Sequence, residues 1–580
     1  MNNETKICQS CKKEFVIESD DFAFYEKMKV PPPTWCPECR LQRRLSLRNE
    51  RMLYHRACDL CGKNVISIYH PGGENVVYCH ECWWSDKWDS LSYGKEYDFS
   101  RPFFEQYREL SNTVPRESLI SANSVNSEYT NLAADNKDCY MLFESSNNER
   151  CNHCYWMQLS KDCLDCAFVN NSELCYEVFV AYNCYKLFFS KECRDCTDSY
   201  FLQDCVGLSN CYGCVGLRQK QYQIFNKPYS KEEYSKILEE KKEQISRGNI
   251  DVLLKEFKDF ALKHINKYSF IQKSVRSTGN YLLNTKNCIY CFHGDEAENC
   301  KYGYHVWRNA KDCMDVSTVG REAELVHESI NSAMKAYNIK FGIQNWNGDS
   351  DTTYSESCSG SSDLFGCIGL RSKQYCIFNK QYTKEEYEKL VPKIIEQMNS
   401  MPYVDSKGRV YKYGEFFPTE LSQFSYNETS AFDHFPISKE QAIAQGFSWK
   451  DQEQKDVTPT LSQDRLSELK NIDDSILKEI IECAHHGKCT DNCTIGFKVI
   501  KAELDFYQKM RLPISKLCPN CRHYERLKKR NPLKLWHRQC MCDKNHPHHN
   551  GRCPNEFETS YAPDRKEIVY CEQCYNSEVA

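Results

Sequence analysis

A chain of 580 residues is long enough for several domains, each with its own core, so metal is not needed merely to rescue a very small fold. The net charge of -5 excludes a uniformly basic nucleic-acid binder, although charge is strongly segregated along the chain. The 37 cysteines far exceed ordinary usage and require a physical explanation.

The start of the chain, Met1 to Asp20, carries charges among its apolar side chains, which is not the pattern of a secretory signal, and no segment is typical of a membrane span. We therefore expect a cytoplasmic protein. In that reducing compartment, clustered thiols are more often metal ligands or small buried side chains than disulfides.

The N-terminal cysteines come in four C-x-x-C pairs. One such loop can bring two sulfur atoms to about 2.3 Å from a Zn²⁺ ion, and two loops close a tetrahedral site with no open position. Pairing in sequence order gives two sites, but an interleaved pairing of the four loops also satisfies the spacing. The predicted ligands are Cys8, Cys11, Cys36, Cys39, Cys58, Cys61, Cys79 and Cys82.

The C-terminus repeats this design with its spacings preserved. Cys518 follows Cys493 at the same separation as Cys36 follows Cys11, and Cys571 follows Cys553 as Cys79 follows Cys61. We therefore expect about four structural Zn²⁺ ions in all. The predicted ligands of the second copy are Cys489, Cys493, Cys518, Cys521, Cys540, Cys553, Cys571 and Cys574.

The second copy departs from the pattern in two places. Cys489 and Cys493 are spaced C-x3-C. Aligning His537-Arg538 with His55-Arg56 makes Cys540 the partner of Cys58, with Cys542 as the alternative. The histidines of the following insertion can supply a ligand or form a solvated loop, and the loop is favoured because four sulfur atoms already suffice. These histidines are His546, His548 and His549.

The first zinc loop carries a family resemblance. The stretch Cys8-x-x-Cys11, Phe15, Phe24-Tyr25-Glu26-Lys27, Pro33 and Cys36-Pro-Glu-Cys39-Arg40 resembles the small treble-clef zinc finger often labelled a probable zinc-ribbon domain. The match covers about 40 residues at each end, and it implies a zinc knuckle, a hairpin and a second knuckle that opens a helix, but no reaction. The whole arrangement also resembles uncharacterised cysteine-rich proteins of candidate-phylum (Patescibacteria) bacteria.

A basic segment follows the first zinc site of each copy. Residues 40–56 contain six arginines and one acid, and residues 522–538 contain seven lysines or arginines and one acid. A helix there can lay its cations along phosphates, or it can pack its leucines on the zinc core and solvate its charges. Recurrence in both copies makes nucleic acid, DNA or RNA, a candidate partner. The candidate contacts are Arg40, Arg43, Arg44, Arg48, Arg522, Arg526, Lys528, Lys529 and Arg530.

The middle of the chain is repetitive. Between Cys139 and Cys214 the cysteines are spaced by 3, 9 and 12, and Cys154, Cys175 and Cys196 lie 21 apart. Read as a period of 21, this pattern predicts a parallel β-helix of about four coils. Acidic or amide residues often precede the cysteine, as in Asp138-Cys139 and Asn183-Cys184.

A second, more degraded repeat follows the first. The two end alike: 17 of 22 positions are identical between residues 213–234 and 366–387, so the region is duplicated. Each ending runs into a charged helix, roughly Lys231 to Tyr268 and Lys384 to Asn399, that would cap the open end of the coils. The repeat cysteines can be metal or redox sites, but burial as small side chains is the favoured interpretation.

The sequence thus predicts a multidomain, mostly β-solenoid protein with treble-clef or zinc-ribbon modules at both ends. The predicted units are a double zinc module (1–90), two β-helices with capping helices (91–268 and 269–400), an aromatic linker subdomain (401–475) and a second double zinc module (476–580).

No phosphate-binding glycine loop, nucleophile elbow or HExxH pattern is present, and no catalytic residue is assigned. The favoured function is a non-catalytic, zinc-binding scaffold that contacts nucleic acid. The alternatives are a protein-interaction scaffold with purely structural zinc, its partners bound through the acidic repeat region, and a β-helix enzyme. No membrane contact and no small-molecule substrate is expected.

Overall fold

Two stacks of parallel strands form the centre of the protein in this computed structural model, which describes residues 2–332, 334–345, 347–451, 457–468 and 472–579. The strands of the first stack are Ser121–Ala122, Asn131–Ala134, Phe143–Ser146, Tyr155–Gln158, Ala167–Asn170, Phe179–Tyr182, Tyr185–Phe188, Lys191–Arg194, Thr197–Tyr200, Ser209–Tyr212 and Gln221–Ile224. Those of the second stack are Ile271–Gln272, Gly279–Leu283, Cys291–Asp295, Tyr304–Trp307, Lys311–Val319, Glu324–Ser332, Tyr337–Lys340, Ser350–Thr353, Ser362–Phe365 and Gln374–Ile377. Each stack ends in a short antiparallel strand, Lys227–Pro228 and Lys380–Gln381.

The first stack repeats with a period of 12, so the predicted period of 21 is wrong. Tyr155 pairs with Ala167, which pairs with Phe179, and single bridges between the named strands keep the same offset. The observed cysteine spacings of 3, 9 and 12 are all multiples of three, and 21 is only the sum of the last two. The first stack therefore contains about twice as many layers as the sequence analysis expected.

Every third residue of the first stack adopts a left-handed backbone conformation. Asp138, Asp162, Asn183 and Glu192 have φ values of 55°, 49°, 55° and 58°. Asparagine and aspartate tolerate this conformation best among side-chain-bearing residues, because their short polar side chains hydrogen-bond locally. The acidic and amide residues that precede the cysteines in the sequence therefore mark these turns.

The residue after each left-handed position points into the stack and builds its core. Between residues 130 and 214 these positions carry cysteine, serine, threonine, asparagine and small or medium apolar residues, all of them buried. Cys163 donates its thiol hydrogen to the Lys161 carbonyl at 3.3 Å, and Ser160 donates to the Gln158 carbonyl at 2.8 Å. Cysteine and serine thus fill the same place and satisfy the same type of backbone acceptor.

The second stack is wider over part of its length. Lys311 pairs with Glu324 and Glu324 with Tyr337, an offset of 13, whereas Ser350 with Ser362 returns to an offset of 12. The strands Lys311–Val319 and Glu324–Ser332 are also longer than their neighbours. This widened part receives the N-terminal metal module.

Helices follow both stacks, although the first of the two predicted ones is divided. It consists of Lys231–Ser246 and Ile250–Ala261, and the break contains Gly248 at φ 83°. The helix after the second stack, Lys384–Ser400, is continuous. Each lies against the last parallel strand of its stack, which agrees with a capping position.

The remaining elements belong to the ends and to the segment that connects them. The strands are Glu4–Ile7, Glu14–Ile17, Tyr54–Ala57, Asn64–Ser67, Val77–Tyr78, Arg116–Glu117, Ile265–Lys267, Tyr403–Val404, Val410–Tyr411, Ile481–Glu482, Gly496–Phe497, Trp536–Gln539, Glu556–Thr559 and Ile568–Tyr570. The α-helices are Ser19–Met28, Pro37–Leu45, His80–Trp83, Phe103–Thr113, Ser430–His434, Lys439–Ala444, Gln463–Glu468, Lys501–Met510, Pro519–Leu527 and Glu572–Val579. Short 3₁₀ turns cover Ser90–Tyr93, Thr419–Leu421, Tyr426–Glu428 and Asp474–Lys478.

Ser438 caps the helix Lys439–Ala444 in a capping box with Gln441. None of the described helices combines the length and the hydropathy required to cross a membrane.

Replacement of Asn183 tests whether the first stack depends on its left-handed positions. Asn183 is exposed and has a φ of 55°. We expect Asn183→Val to be less stable to urea than Asn183→Gly by about 1–2 kcal/mol, because only the branched side chain is strained there. Both variants lose the amide hydrogen bond to Asp195, so their difference isolates the backbone. Equal unfolding midpoints and slopes would show that the conformation is not required.

Candidate metal centres and their docking helices

Four groups of cysteines have sulfur atoms within 4.8 Å of one another. Two lie in the N-terminal module and two in the C-terminal module, and within each module the grouping follows sequence order. Such groups fit a tetrahedral metal ion. They are Cys8, Cys11, Cys36 and Cys39; Cys58, Cys61, Cys79 and Cys82; Cys483, Cys493, Cys518 and Cys521; and Cys540, Cys553, Cys571 and Cys574.

The four groups are built by the same local structure. A hairpin supplies the first pair of cysteines, and the second pair lies at the start of a helix; Cys36, for example, is the N-cap residue of Pro37–Leu45. The first sulfur of each group accepts a backbone N–H from the third cysteine, at 3.2, 3.2, 3.3 and 3.2 Å. These bonds stabilise a thiolate at that place before any ion binds.

The same hydrogen bonds shift the acidity of the first knuckle cysteines. Burial alone would raise the pKa of Cys58, but backbone N–H groups of Cys79 and Cys61 lower it to about 7. Hydrogen bonds from Cys36 and Cys39 lower the pKa of Cys8 far below its ordinary value. The thiolate is the form that binds metal, so the geometry favours the ligand state in the N-terminal module. In the C-terminal module a hydrogen bond with Cys518 raises the pKa of Cys483, and burial raises that of Cys540.

Cys483, which the sequence analysis did not select, occupies the place assigned to Cys489. Cys483 receives the Cys518 N–H and donates its own N–H to the Ile495 carbonyl, as Cys8 does to the Lys13 carbonyl. The knuckle therefore contains an insertion rather than a C-x3-C loop. Cys489 lies beside the group, with its sulfur 3.6 Å from that of Cys521. Cys483 could have been identified by aligning the hairpin strands of the two modules, rather than by choosing the cysteine nearest to Cys493 in sequence.

Cys540 lies in the fourth group as the alignment with Cys58 predicts. Cys542 belongs to a further group with His546, His549 and Cys574. The predicted solvated loop is thus folded back against the metal group, and His546 is only 8% exposed in its side chain.

The arginines after the first cysteine group face inward. Arg40, Arg43 and Arg44 lie on the helix Pro37–Leu45 and are at most 1% exposed. Arg40 meets Asp315 at 2.9 Å, and Arg43 meets Glu328 at 3.0 Å. Arg44 also approaches Asp315, at 3.5 Å. Both carboxylates belong to the widened part of the second stack.

The C-terminal module docks on the first stack in the same way. Arg522 and Arg526 of the helix Pro519–Leu527 are 2% and 1% exposed. Both lie 2.7 Å from oxygens of Asp165, and Arg526 also approaches Glu177. Burial would raise the pKa of Glu503, but the Arg522 guanidinium holds it far below its ordinary value. This carboxylate therefore stays charged.

The two docking surfaces are equivalent columns of left-handed residues. In the first stack His153, Asp165 and Glu177 follow one another at the 12-residue period, and in the second Tyr302, Asp315 and Glu328 follow at the wider one. Stacked aromatic rings continue both columns. These rings are Phe189 and Phe201 in the first stack and Phe341 and Tyr354 in the second.

The second knuckle of each module contacts the matching stack as well. Arg371 lies over the Trp83 ring at 5.2 Å, and Arg218 lies over the Tyr575 ring at 5.9 Å. Trp83 and Tyr575 each follow the last cysteine of their group, and Arg218 and Arg371 are equivalent in the duplicated ending. These arginines thus belong to the contact between each module and its stack.

Most of the candidate nucleic-acid contacts are not accessible to a phosphate. Arg40, Arg43, Arg44, Arg48, Arg522 and Arg526 are buried. Lys528 is exposed but pairs with Asp491 and Glu525, and Lys529 pairs with Glu177. Arg530 donates to the Asp433 carbonyl at 2.6 Å. The six arginines are therefore enclosed within the chain, whereas the side chain of Lys528 remains 56% exposed.

Two cysteines inside the first stack, Cys139 and Cys163, have the environment of protonated thiols, whereas hydrogen bonds with neighbouring cysteines lower the pKa of Cys196, Cys211 and Cys288. Burial raises the pKa of Cys139 and of Cys163 to about 11. Their thiols donate to backbone carbonyls two residues earlier at 3.3 Å. Neither fact requires a metal, so these two cysteines fit the interpretation as small buried side chains.

Three histidines of the repeat region, His153, His293 and His305, pack against neighbouring side chains. His293 stacks on Phe168 at 4.4 Å and on His305 at 5.2 Å between the two stacks. Burial lowers the pKa of His293 to about 3. His153 lies 3.2 Å from Glu503 in the docking surface. Burial also lowers the pKa of His305, so neither His293 nor His305 is suited to act as a general base near pH 7.

Comparison with protein-family models and with curated proteins gives no match for this chain. The treble-clef resemblance is thus neither supported nor excluded by relatives. The four cysteine groups are consistent with zinc-binding modules at both ends, and the identity of the metal is open to chemical test.

Metal content separates the two candidate ligands of the third group. We expect Cys483→Ser to lose one ion per chain, because it removes a sulfur of the four-cysteine group, and Cys489→Ser to keep it. Cys163→Ser is the control, since its thiol lies in the core of the first stack and donates to backbone carbonyls. Elemental analysis of the purified full chain measures this. Loss of an ion in Cys489→Ser, with none lost in Cys483→Ser, would reverse the assignment.

Removal of one docking carboxylate tests the buried contact. Asp165→Asn removes the buried negative charge that pairs with Arg522 and Arg526. We expect the free energy of unfolding to fall by about 3–5 kcal/mol. The control Asp162→Asn removes a carboxylate that pairs with Arg150 nearer the surface, and should cost about 1 kcal/mol or less. Urea titration of both variants measures the difference. Equal costs would contradict the importance of the buried pair.

Proposed function

We propose that this chain is a non-catalytic, cytoplasmic scaffold protein in which four structural Zn²⁺ ions hold two end modules against a tandem β-solenoid. The solenoid assignment is supported by the constant offset of 12 residues between paired strands of the first stack. Twelve residues per layer are too few to include a crossover helix between successive parallel strands. Zinc is favoured over other metals because four thiolates in a tetrahedral group are its usual structural ligands.

The burial of the arginines on the two knuckle helices carries this proposal. Arg43 reaches both Glu328 and Glu415, which are themselves buried. Arg522 reaches both Asp165 and Glu503, each 0% exposed. Leaving these partners for a phosphate would strand buried carboxylates, at a cost of about 3–5 kcal/mol for each broken pair. The helices therefore favour a role inside the protein.

Zinc then acts through geometry rather than chemistry. The ion of the first site in each module fixes the start of a helix whose arginines reach the stack within about two turns. Four thiolates leave no coordination position for water or substrate, so these sites favour a structural role over catalysis.

Proteins are the partners that the remaining surface favours. Residues 139–214 hold ten acids and five bases, which makes the first stack a poor partner for nucleic acid. Nucleic-acid binding stays a second candidate only through Lys528 and Lys529, whose side chains keep 56% and 32% exposure. Nothing in the sequence or in the described sites assigns a reaction, so the enzyme alternative has no named residue.

Binding of labelled duplex DNA and single-stranded RNA across a salt series distinguishes the two candidates. For the metal-loaded full chain we expect no binding with an association constant that falls steeply as the salt concentration rises, because the arginines are already paired. A slope of several units in the wild type, reduced in Lys528→Ala/Lys529→Ala, would contradict the scaffold proposal. Lys384→Ala/Lys389→Ala, on the helix after the second stack, is the charge-matched control.

A further inference from the structure

The last knuckle of the chain contains an insertion that its N-terminal counterpart lacks. Two residues separate Cys58 from Cys61, whereas twelve separate the equivalent Cys540 from Cys553. The inserted segment brings one additional cysteine, Cys542, and three histidines into the module. An insertion that served only as a solvated loop would not need this composition.

The insertion places a second set of ligands beside the fourth cysteine group. Ligand atoms of Cys542, His546, His549 and Cys574 lie within 4.8 Å of one another, the same limit that unites the four-cysteine groups. Cys542 and Cys574 are both 0% exposed. Cys574 is a member of both sets, so its sulfur lies between them.

His549 is oriented as a metal-binding histidine. Its Nδ1 lies 2.9 Å from the Gly551 carbonyl oxygen, to which the ring N–H can donate. That tautomer leaves a lone pair on Nε2, which lies 3.1 Å from the Cys574 sulfur. A backbone carbonyl that fixes the ring in this way is the usual support of a histidine ligand.

His546 supplies an independent sign of a missing ligand. Its side chain is 8% exposed, and its Nε2 is buried without a hydrogen-bond partner. The nearest acid is Glu578, whose carboxylate oxygen lies 3.3 Å from that nitrogen without hydrogen-bond geometry. Backbone bonds between His546 and His549, at 2.9 and 3.2 Å, hold the two rings on one short turn. An unsatisfied buried nitrogen costs about 1–3 kcal/mol, which a bound ion would remove.

We propose that Cys542, His546, His549 and Cys574 bind a fifth Zn²⁺ ion and that the Cys574 thiolate bridges it to the ion of the fourth group. Two thiolates and two neutral imidazoles are a complete structural zinc set. Binding takes the thiol proton of Cys542 and releases it to solvent. The bridging sulfur uses a second lone pair, and the additional ion offsets negative charge that the thiolates concentrate in a buried place.

The test is the zinc content of the purified full chain by elemental mass spectrometry. We expect five ions in the wild type and four in His546→Ala/His549→Ala. The control His537→Ala should keep five, because His537 is exposed and pairs with Glu556 and Glu558 outside the set. Five ions in the double variant, or four in the wild type, would overturn the proposal.

A loop replacement provides an independent test in case the double variant misfolds. Exchanging residues 541–552 for Asp-Leu reproduces the loop of the N-terminal module and should give a chain with four ions. Refilling with Co²⁺ should then show that the wild type has additional absorption from a site with mixed sulfur and nitrogen ligands. Identical cobalt spectra per chain would overturn the fifth site, whereas fewer than four ions in the replacement would count against the four-ion scaffold instead.

Discussion

Buried pairs between the arginines of the knuckle helices and the carboxylates of the stacks are the interaction on which the rest of the structure depends. Removing a guanidinium and a carboxylate from water costs several kcal/mol for each ion, and only close pairing offsets that cost. Arg40 with Asp315 and Arg522 with Asp165 meet this condition at 2.9 and 2.7 Å. The four-cysteine groups matter because they lie at the starts of these helices, and the stacks matter because they hold the carboxylates in register.

The docking contacts join segments that lie far apart in the sequence. The N-terminal module docks on the second stack and the C-terminal module on the first, so Arg40 and Asp315 are joined although nearly half of the chain lies between them. Each stack forms from neighbouring layers, but neither module can complete its contacts until a distant stack exists. Contacts between residues so far apart in sequence cost loop-closure entropy before they stabilise the fold. We infer that the stacks form first and that metal-loaded ends dock on them afterwards.

The sequence predicted the parts of the structure that leave a mark in residue type and spacing. The C-x-x-C loops, the duplicated endings and the parallel pairing were all visible in this way. The period was misread because Cys154 and Cys175 lie in different columns of the core, and the intervening Ser160 and Ser172 fill inward positions without a recognisable signature. The acidic or amide residue that often precedes a cysteine was the better guide, since it marks the left-handed position.

The function of the basic segments could not be read from the sequence. A local charge of one sign looks the same whether its partner is a phosphate or a carboxylate far along the chain. Only the fold shows that Arg43 faces Glu328 and Glu415. Cys483 was missed for a related reason, because the insertion before Cys493 hid the hairpin register that makes it equivalent to Cys8.

The equivalence of the two docking surfaces raises the question of what prevents the modules from exchanging places. The position of Arg43 in the N-terminal helix is occupied by Glu525 in the C-terminal one. At the second stack Glu525 would lie near Glu328 and Glu415, where like charges repel and both would be poorly solvated. At its own stack Glu525 instead pairs with Lys528, and Lys529 takes the contact with Glu177. One reversed charge thus makes the exchanged arrangement unfavourable while each correct contact keeps its stabilising pairs.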